Sequence, residues 1–204
     1  MLLIPERRAL FLHIPKTGGQ TIESLLGYPH RHSHHSKRGL PVDWQQWFRF
    51  TFVRHPVDRF VSACNYYVDM AQRHERRYRQ IEDPSPMVRL RLWLLDDAPS
   101  LGDVVDRLRS NGAYRKISGF APQMKRLKII QPQFIGRFER FHDDVNTLLT
   151  LLDASQRLQP TLPHLNRSQK HYRIEQLDRH SLNRLARLYQ ADFRRLGYRP
   201  GAIP

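Results

Sequence analysis

The chain has 204 residues, of which 40% are hydrophobic, and this is enough for one domain with a sizeable core. Its single cysteine, Cys64, excludes an internal disulfide and fits a reducing compartment, so a cytoplasmic protein is expected. Lysine and arginine number 34 against 19 acidic residues, and the net charge of +15 predicts an anionic partner: a nucleotide, an acidic polysaccharide, a nucleic acid or a membrane surface.

The first residues of the chain predict a strand, a tight loop and a helix. Residues 9–12 are apolar and predict a short strand, residues 13–19 form a loop with proline and glycine, and residues 20–26 predict a helix. This order is typical of the start of an α/β nucleotide-binding unit. The residues before it are too few and too charged for the apolar core of a secretory signal, so none is expected.

A second strand and helix follow a polar, histidine-rich segment at residues 28–39. Residues 48–53 are aromatic and β-branched and predict a buried strand, and residues 57 to about 73 predict the helix after it. Residues 74–98 predict a loop followed by a helix, and a further helix is predicted from Ser100 to about Arg109, with Ser100 and Asp103 as its capping signal. The rest of the chain predicts a strand at 134–138, a helix at 139–152 and a final amphipathic helix at about 176–196.

Strands that alternate with helices favour a parallel sheet covered by helices on both faces. We therefore predict one α/β domain over residues 1–204, with a central parallel sheet flanked by helices and a P-loop-like nucleotide-binding core. No apolar stretch reaches the length of about 18 residues that a membrane-spanning helix needs, so no membrane span is expected.

The loop after the first strand has the residues that a phosphate or phosphosulfate site needs. Its glycines allow successive N–H groups to point into one concavity, the helix that follows adds free donors, and a lysine and two threonines add a charge and hydroxyls. The candidate contacts are Pro15, Lys16, Thr17, Gly18, Gly19, Gln20 and Thr21. An ATP-binding P-loop would have glycine in place of Leu10 and Pro15. An ordinary Pro-Gly turn is the structural alternative.

A second candidate anion site follows the second predicted strand. Arg54 stands at the end of the strand, and Ser62 stands two turns into the next helix. An arginine fork and a hydroxyl from neighbouring elements suit one phosphate group. Two anion sites on two strand-loop-helix units suit a nucleotide phosphorylated at both its 3′ and 5′ positions, although the Arg54 and Ser62 pair alone is also compatible with a structural role.

These two segments resemble sulfotransferases that depend on 3′-phosphoadenosine 5′-phosphosulfate, particularly the carbohydrate and heparan-sulfate 2-O type (sulfotransferase family 2). In that family a Pro-Lys-Thr-Gly-Gly-like loop binds the 5′-phosphosulfate, and a Val-Arg-x-Pro-x-x-Arg-x-x-Ser segment binds the 3′-phosphate. The resemblance implies these roles for residues 15–19 with Thr21, and for Arg54 with Ser62. His55 is a departure, because family members often have an acidic residue or asparagine there.

The resemblance continues along the chain to about residue 198. Residues 135–139 are similar to the family's third core strand and the start of its helix. Residues 163–168 are similar to a Leu-Asn-x-Ser segment that closes over the nucleotide, which implies cofactor contacts for Asn166 and Ser168. Residues 189–198 match the closing helix.

The histidine-rich segment is the candidate source of the catalytic base. Sulfuryl transfer to an alcohol needs a base for the hydroxyl proton, and the ordinary pKa of histidine, about 6.5, suits that task. Relatives of the heparan-sulfate type carry a His-x-Ser/Thr element here, so His34 is the first candidate and His35 the second, with His30 and His32 in the same cluster. A solvated linker and a zinc site are the alternatives.

The resemblance implies direct in-line transfer to a hydroxyl, with Lys16 stabilising charge and no metal. The expected partner is a carbohydrate or another hydroxyl acceptor, including an anionic polysaccharide, and not a nucleic acid. A nucleotide-dependent kinase is the main rival, but no convincing pair of Mg²⁺ ligands is visible. A nucleic-acid-binding protein is the other rival, and no binding motif supports it. The basic residues 73–79 and 89–91 are candidate acceptor contacts or a solvated surface.

Overall fold

The structure is a computed structural model that describes residues 1–28, 40–153 and 169–201. The strands of these residues are β1 (Leu2–Ile4), β2 (Ala9–Leu12), β3 (Phe48–Val53) and β4 (Phe134–Arg137). The helices are α1 (Gly19–Leu25), α2 (Pro56–Arg79), α3 (Pro86–Asp96), α4 (Leu101–Ser110), α5 (Gly112–Arg115), α6 (Gln123–Ile130), α7 (Phe141–Leu151), α8 (Arg179–Leu188) and α9 (Gln190–Leu196). Contacts group the described residues into two compact units, the first within Met1–Arg54 and Gln123–Asn166, the second within His55–Pro122 and Arg167–Pro204.

The first unit contains a four-stranded sheet in the order β1-β2-β3-β4. Strands β2, β3 and β4 are parallel, whereas β1 is antiparallel to β2. The predicted central parallel sheet is therefore confirmed for β2, β3 and β4, and the antiparallel edge strand β1 is an addition that was not predicted. A connection of only a few residues joins β1 to β2, and so short a connection allows only an antiparallel neighbour. The α/β class, with a mostly parallel sheet and helices packed on it, is confirmed.

The core of the first unit lies between the sheet and helices α1 and α7. Phe11 on β2 and Phe50 on β3 are fully buried, and their rings stack with centroids 5.1 Å apart. On β3, the buried Thr51 hydroxyl donates to the carbonyl of Leu12 at 2.7 Å. These contacts hold β2 and β3 in register, with Leu12 opposite Thr51. The carboxyl ends of the two strands, where both predicted phosphate-binding segments begin, therefore lie side by side.

The second unit is helical in its described residues, and its core is built along α2. This helix runs six residues beyond its predicted end near residue 73, but its backbone leaves helical geometry at His74 (φ −123°, ψ 16°). The predicted end thus coincides with a bend. The predicted capping signal of α4 is confirmed, because the Ser100 and Asp103 side chains each accept a hydrogen bond from the other's backbone N–H.

The predicted last helix is two helices, α8 and α9, which meet at Tyr189. The Tyr189 backbone departs from helical geometry (φ −107°, ψ 24°), and its buried hydroxyl donates to the carbonyl of Phe120 at 2.9 Å. A buried hydrogen bond of this kind offsets the loss of helical continuity. Within the described residues, no helix combines the length and apolar character that crossing a membrane would require.

Candidate functional site

The loop between β2 and α1 is a tight turn built by two left-handed residues. Lys16 has φ 73° and Gly18 has φ 81°. Between them, Thr17 is fully buried and its hydroxyl donates to the carbonyl of Ile14 at 2.7 Å. Because a hydroxyl has only one hydrogen, Thr17 in this arrangement stabilises the loop and does not offer its hydrogen to an anion. Pro15, Lys16 and Thr21 are half-buried, and Gln20 is exposed.

Two consecutive backbone N–H groups in this loop have no acceptor among the residues that the structure describes. They are the amides of Gly18 and Gly19, whereas those of Thr21 and Ile22 bond to the carbonyl of Gly18. Consecutive amides next to a left-handed residue form the concavity that binds anions in many proteins. The loop thus has the donors that a phosphate or sulfonate group requires.

Both glycines of the loop lie against a ring. A β-carbon at Gly18 would lie 2.9 Å from Cζ of Phe141, and one at Gly19 would overlap the imidazole of His13. Since real β-carbons essentially never come so close to other atoms, the loop can approach these rings only with glycine at both positions. The glycines are therefore required by packing as well as by the backbone angle at Gly18.

We expect Gly18→Ala to lower the free energy of unfolding by about 1–3 kcal/mol more than Gly27→Ala does. Gly27 is a matched control, because its φ of 82° is nearly the same as that of Gly18 while nothing lies within 4 Å of a β-carbon there. The difference between the two variants therefore isolates the contact with Phe141. Urea denaturation measures both values, and equal losses would contradict the packing argument.

Arg54 places a guanidinium next to the loop from the end of β3. Its Nη1 donates to the carbonyl of Lys16 at 3.2 Å, and its guanidinium carbon lies 4.0 Å above the ring of Phe138. The backbone of Arg54 is held on both sides by the fully buried Gln123, which accepts from its N–H at 3.0 Å and donates to its carbonyl at 2.8 Å. The structure thus brings the first predicted anion site and Arg54 of the second together.

A buried histidine–carboxylate pair lies at the base of the loop. His13, the first residue after β2, is joined through Nδ1 to the carboxylate of Glu23 on α1 at 2.8 Å. The side chain of Glu23 is only 3% exposed, and that of His13 is 19% exposed. The imidazole also stacks on Phe11 with ring centroids 5.8 Å apart. This pair connects the two ends of the loop.

The other predicted site residues belong to the second unit or lie outside the described residues. Ser62 belongs to the second unit, where it is half-buried on α2. His55 is buried in the same unit, where its Nε2 donates to the carbonyl of Arg199 at 3.1 Å and its ring packs edge-on against Phe193 and Tyr198. This histidine therefore has a packing role. His34, His35, Asn166 and Ser168 lie outside the described residues, and their roles stay predictions.

The residues just after the predicted closing segment are anchored to α2. The carboxylate of Asp69 accepts from the N–H of Gln169 at 3.1 Å and pairs with His171 at 2.9 Å. One turn earlier, the amide of Asn65 exchanges hydrogen bonds of 2.7 and 3.0 Å with the backbone of Tyr172. One face of α2 therefore fixes where residues 169–172 lie.

Two other features of the second unit contain none of the predicted site residues. Cys64 is fully buried, and burial raises the pKa of its thiol far above the ordinary value, so the thiolate that a nucleophile needs is not formed. A groove of about 760 Å³ is lined by eight residues, none of which is a predicted site residue: Trp93, Asp97, Pro99, Asp103, Asp106, Arg107, Arg109 and Ser110. Outside residues 29–39, 154–168 and 202–204, no group of three or more potential metal ligands exists.

Two supports of the site, Gln123 and Glu23, are absent from the sequence predictions. Gln123 opens α6, a helix that was not predicted, and it reaches Arg54 across 69 positions. Glu23 pairs with His13 ten positions earlier, with a turn between them. The only local signal was one acidic residue in the predicted helix of residues 20–26, and such a residue is ordinarily solvated.

The comparisons with known proteins agree with this geometry. The chain matches a family model described as "Sulfotransferase family" over residues 1–199, a span that includes both units. Neither the comparison with curated proteins nor the comparison with solved structures gave a significant match.

Proposed function

Because the chain belongs to the sulfotransferase family, we propose that it transfers a sulfuryl group from 3′-phosphoadenosine 5′-phosphosulfate to a hydroxyl group of a carbohydrate. The observation that carries the proposal is the loop of residues 13–19, where the amides of Gly18 and Gly19 have no acceptor within the described residues and Lys16 and Arg54 lie beside them. Lys16 and Arg54 give this loop the positive charge that suits a phosphosulfate group. Its two glycines preserve the packing that forms it, because a β-carbon at either position would overlap a neighbouring ring. Together with the family match, this loop supports the P-loop-like core.

The two cations of this loop have separate proposed roles. Lys16, on the loop itself, stabilises the charge that develops on the leaving phosphate. Arg54, which contacts the loop from β3, holds the 3′-phosphate with its planar guanidinium. Its stacking on Phe138 and the bonds from Gln123 fix its position before the nucleotide binds, which reduces the entropy lost on binding. The assignment of Ser62 to the same phosphate rests on the sequence motif.

The remaining roles belong to residues of the histidine-rich and closing segments. A histidine, His34 first and His35 second, accepts the proton of the acceptor hydroxyl. The donor supplies the sulfuryl group, which passes to the acceptor oxygen by direct in-line displacement without a covalent enzyme intermediate. Asn166 and Ser168 close over the nucleotide. A carbohydrate acceptor is supported by the net charge of +15, which suits an acidic polysaccharide.

A calorimetric titration tests the proposed donor. Adenosine 3′,5′-bisphosphate should bind, and ATP and a single-stranded oligonucleotide should bind much more weakly. Preference for ATP with Mg²⁺ would favour a kinase, and preference for the oligonucleotide would favour a nucleic-acid-binding protein. A screen of carbohydrates, phenols and lipid alcohols with labelled donor then tests the acceptor class, and transfer to phenols alone would exclude the carbohydrate.

We expect the protein to bind adenosine 3′,5′-bisphosphate more tightly than AMP by about 1.5–3 kcal/mol, because AMP lacks the phosphate assigned to Arg54. Arg54→Gln should remove most of this preference. Arg49→Gln is the matched control, since Arg49 lies on β3 near its other end and should leave the preference intact. Calorimetry measures all three proteins. Equal affinity of the wild type for the two nucleotides would contradict the role of Arg54.

A further inference from the structure

The hydrogen-bonded pair of His13 and Glu23 at the base of the loop has no role in the mechanism proposed above. The loop leaves β2 at His13 and enters α1 at Gly19, and Glu23 lies one turn into that helix. The hydrogen bond of 2.8 Å between His13 Nδ1 and Glu23 therefore spans the base of the loop. With Glu23 ionised, its oxygens only accept, so Nδ1 carries the hydrogen and the tautomer of His13 is fixed.

The imidazole also determines how closely the helix approaches the strand. Its Cδ2 and Nε2 edge occupies the space that a β-carbon of Gly19 would need, and its face stacks on Phe11 of β2. The ring is thus held by the strand, by the carboxylate and by the first residue of α1. Since the amide of Gly19 is one of the two N–H groups without an acceptor in the described loop, the ring sets the position of a donor at the anion site.

We infer that His13 is a positioning residue for the donor's 5′-phosphosulfate, and that Glu23 is the buried anchor that orients it. The pair holds both ends of the loop so that the amides of Gly18 and Gly19 keep their positions for an anion before a ligand binds. A loop that is organised in advance loses less entropy on binding, so the pair contributes to affinity at the 5′ end of the nucleotide. This inference rests on the proposed function.

The test compares two nucleotides in variants that remove the pair. His13→Leu alone leaves the carboxylate of Glu23 buried without its histidine, so that variant should lose stability. The double variant His13→Leu with Glu23→Met replaces both partners by apolar side chains of similar size, and its stability should largely recover. Urea denaturation measures the recovery. The double variant therefore separates a purely structural role from positioning.

Calorimetry on the double variant then measures the affinity for each nucleotide and tests the inference. Affinity for adenosine 3′,5′-bisphosphate should stay about tenfold or more below that of the wild type, while affinity for adenosine 3′-monophosphate, which lacks the 5′ group, should change less than about twofold. His13→Asn places an amide nitrogen near the position of Nδ1, so it should keep the bond to Glu23 and bind the bisphosphate within about threefold of the wild type.

Three outcomes would overturn the inference: wild-type affinity for the bisphosphate in the double variant, an equal loss for both nucleotides, or a His13→Asn variant as weak as the double variant. Failure of the proposed function has a different signature. In that case the wild-type protein itself would bind neither nucleotide, or would bind both equally, before any substitution is made.

Discussion

Replacing Lys16 with alanine is expected to reduce the rate of sulfuryl transfer by at least about a hundredfold, because it removes the positive charge that we propose stabilises the leaving phosphate. The side chain is half-buried on a surface loop and is not part of the core, so the fold should stay intact. Lys16→Met keeps the aliphatic stem and should be nearly as damaging, which separates the charge from the packing. Turnover with labelled donor and circular dichroism measure the two properties.

Lys128→Ala serves as the control for general loss of positive charge, since Lys128 is an exposed lysine of α6 in the same unit. Its turnover should equal that of the wild type. Near-native turnover in either Lys16 variant would mean that another group stabilises the leaving phosphate.

His34→Ala should lower kcat by about two to four orders of magnitude with little change in nucleotide affinity, because a general base acts on the acceptor and not on the donor. The wild-type rate should rise with pH through the ordinary pKa of histidine, about 6.5, since only the neutral imidazole accepts a proton. That limb of the pH profile should disappear in the damaging variant alone. Steady-state kinetics across pH measure both effects.

The neighbouring histidines provide the controls. His35→Ala should have the large effect if the base is one position further along, and His30→Ala should be mild. If every substitution in this segment leaves turnover and pH profile unchanged, the base lies elsewhere, at His13 or His164. Of these two, His13 lies beside the loop with its Nδ1 held by Glu23, which leaves Nε2 as its basic nitrogen.

The parts of the fold that were predicted correctly are those with strong local patterns. Strands β2 and β3 have exactly the predicted bounds because each is a dense apolar or aromatic run. The start of α4 was predictable because its two capping residues, Ser100 and Asp103, are only three positions apart in the sequence. Strand β1 was missed because three residues are too few to show a pattern. The break at Tyr189 was missed because the hydrogen-bond partner of its hydroxyl, Phe120, is 69 positions away.

The residues of the candidate site were likewise predicted where they lie in contiguous motifs and missed where they depend on distant contacts. Lys16, the two glycines and Arg54 were predicted from contiguous motifs, and the structure places them around one loop. The hydroxyl of Thr17 was expected to face an anion, but it bonds within the loop instead, because the turn leaves the carbonyl of Ile14 within its reach. Which side chains support a site depends on tertiary neighbours, and a sequence motif does not contain that information.

The left-handed backbone at Lys16 has a consequence for protein engineering. A side chain at φ 73° destabilises the native state by on the order of 1 kcal/mol relative to glycine, so Lys16→Gly would register as beneficial in a thermostability screen. The same change would remove the ammonium group on which turnover is proposed to depend. A library ranked by melting temperature alone would therefore enrich inactive variants at this position. Selection for heat resistance in this protein must be coupled to an activity assay from the first round.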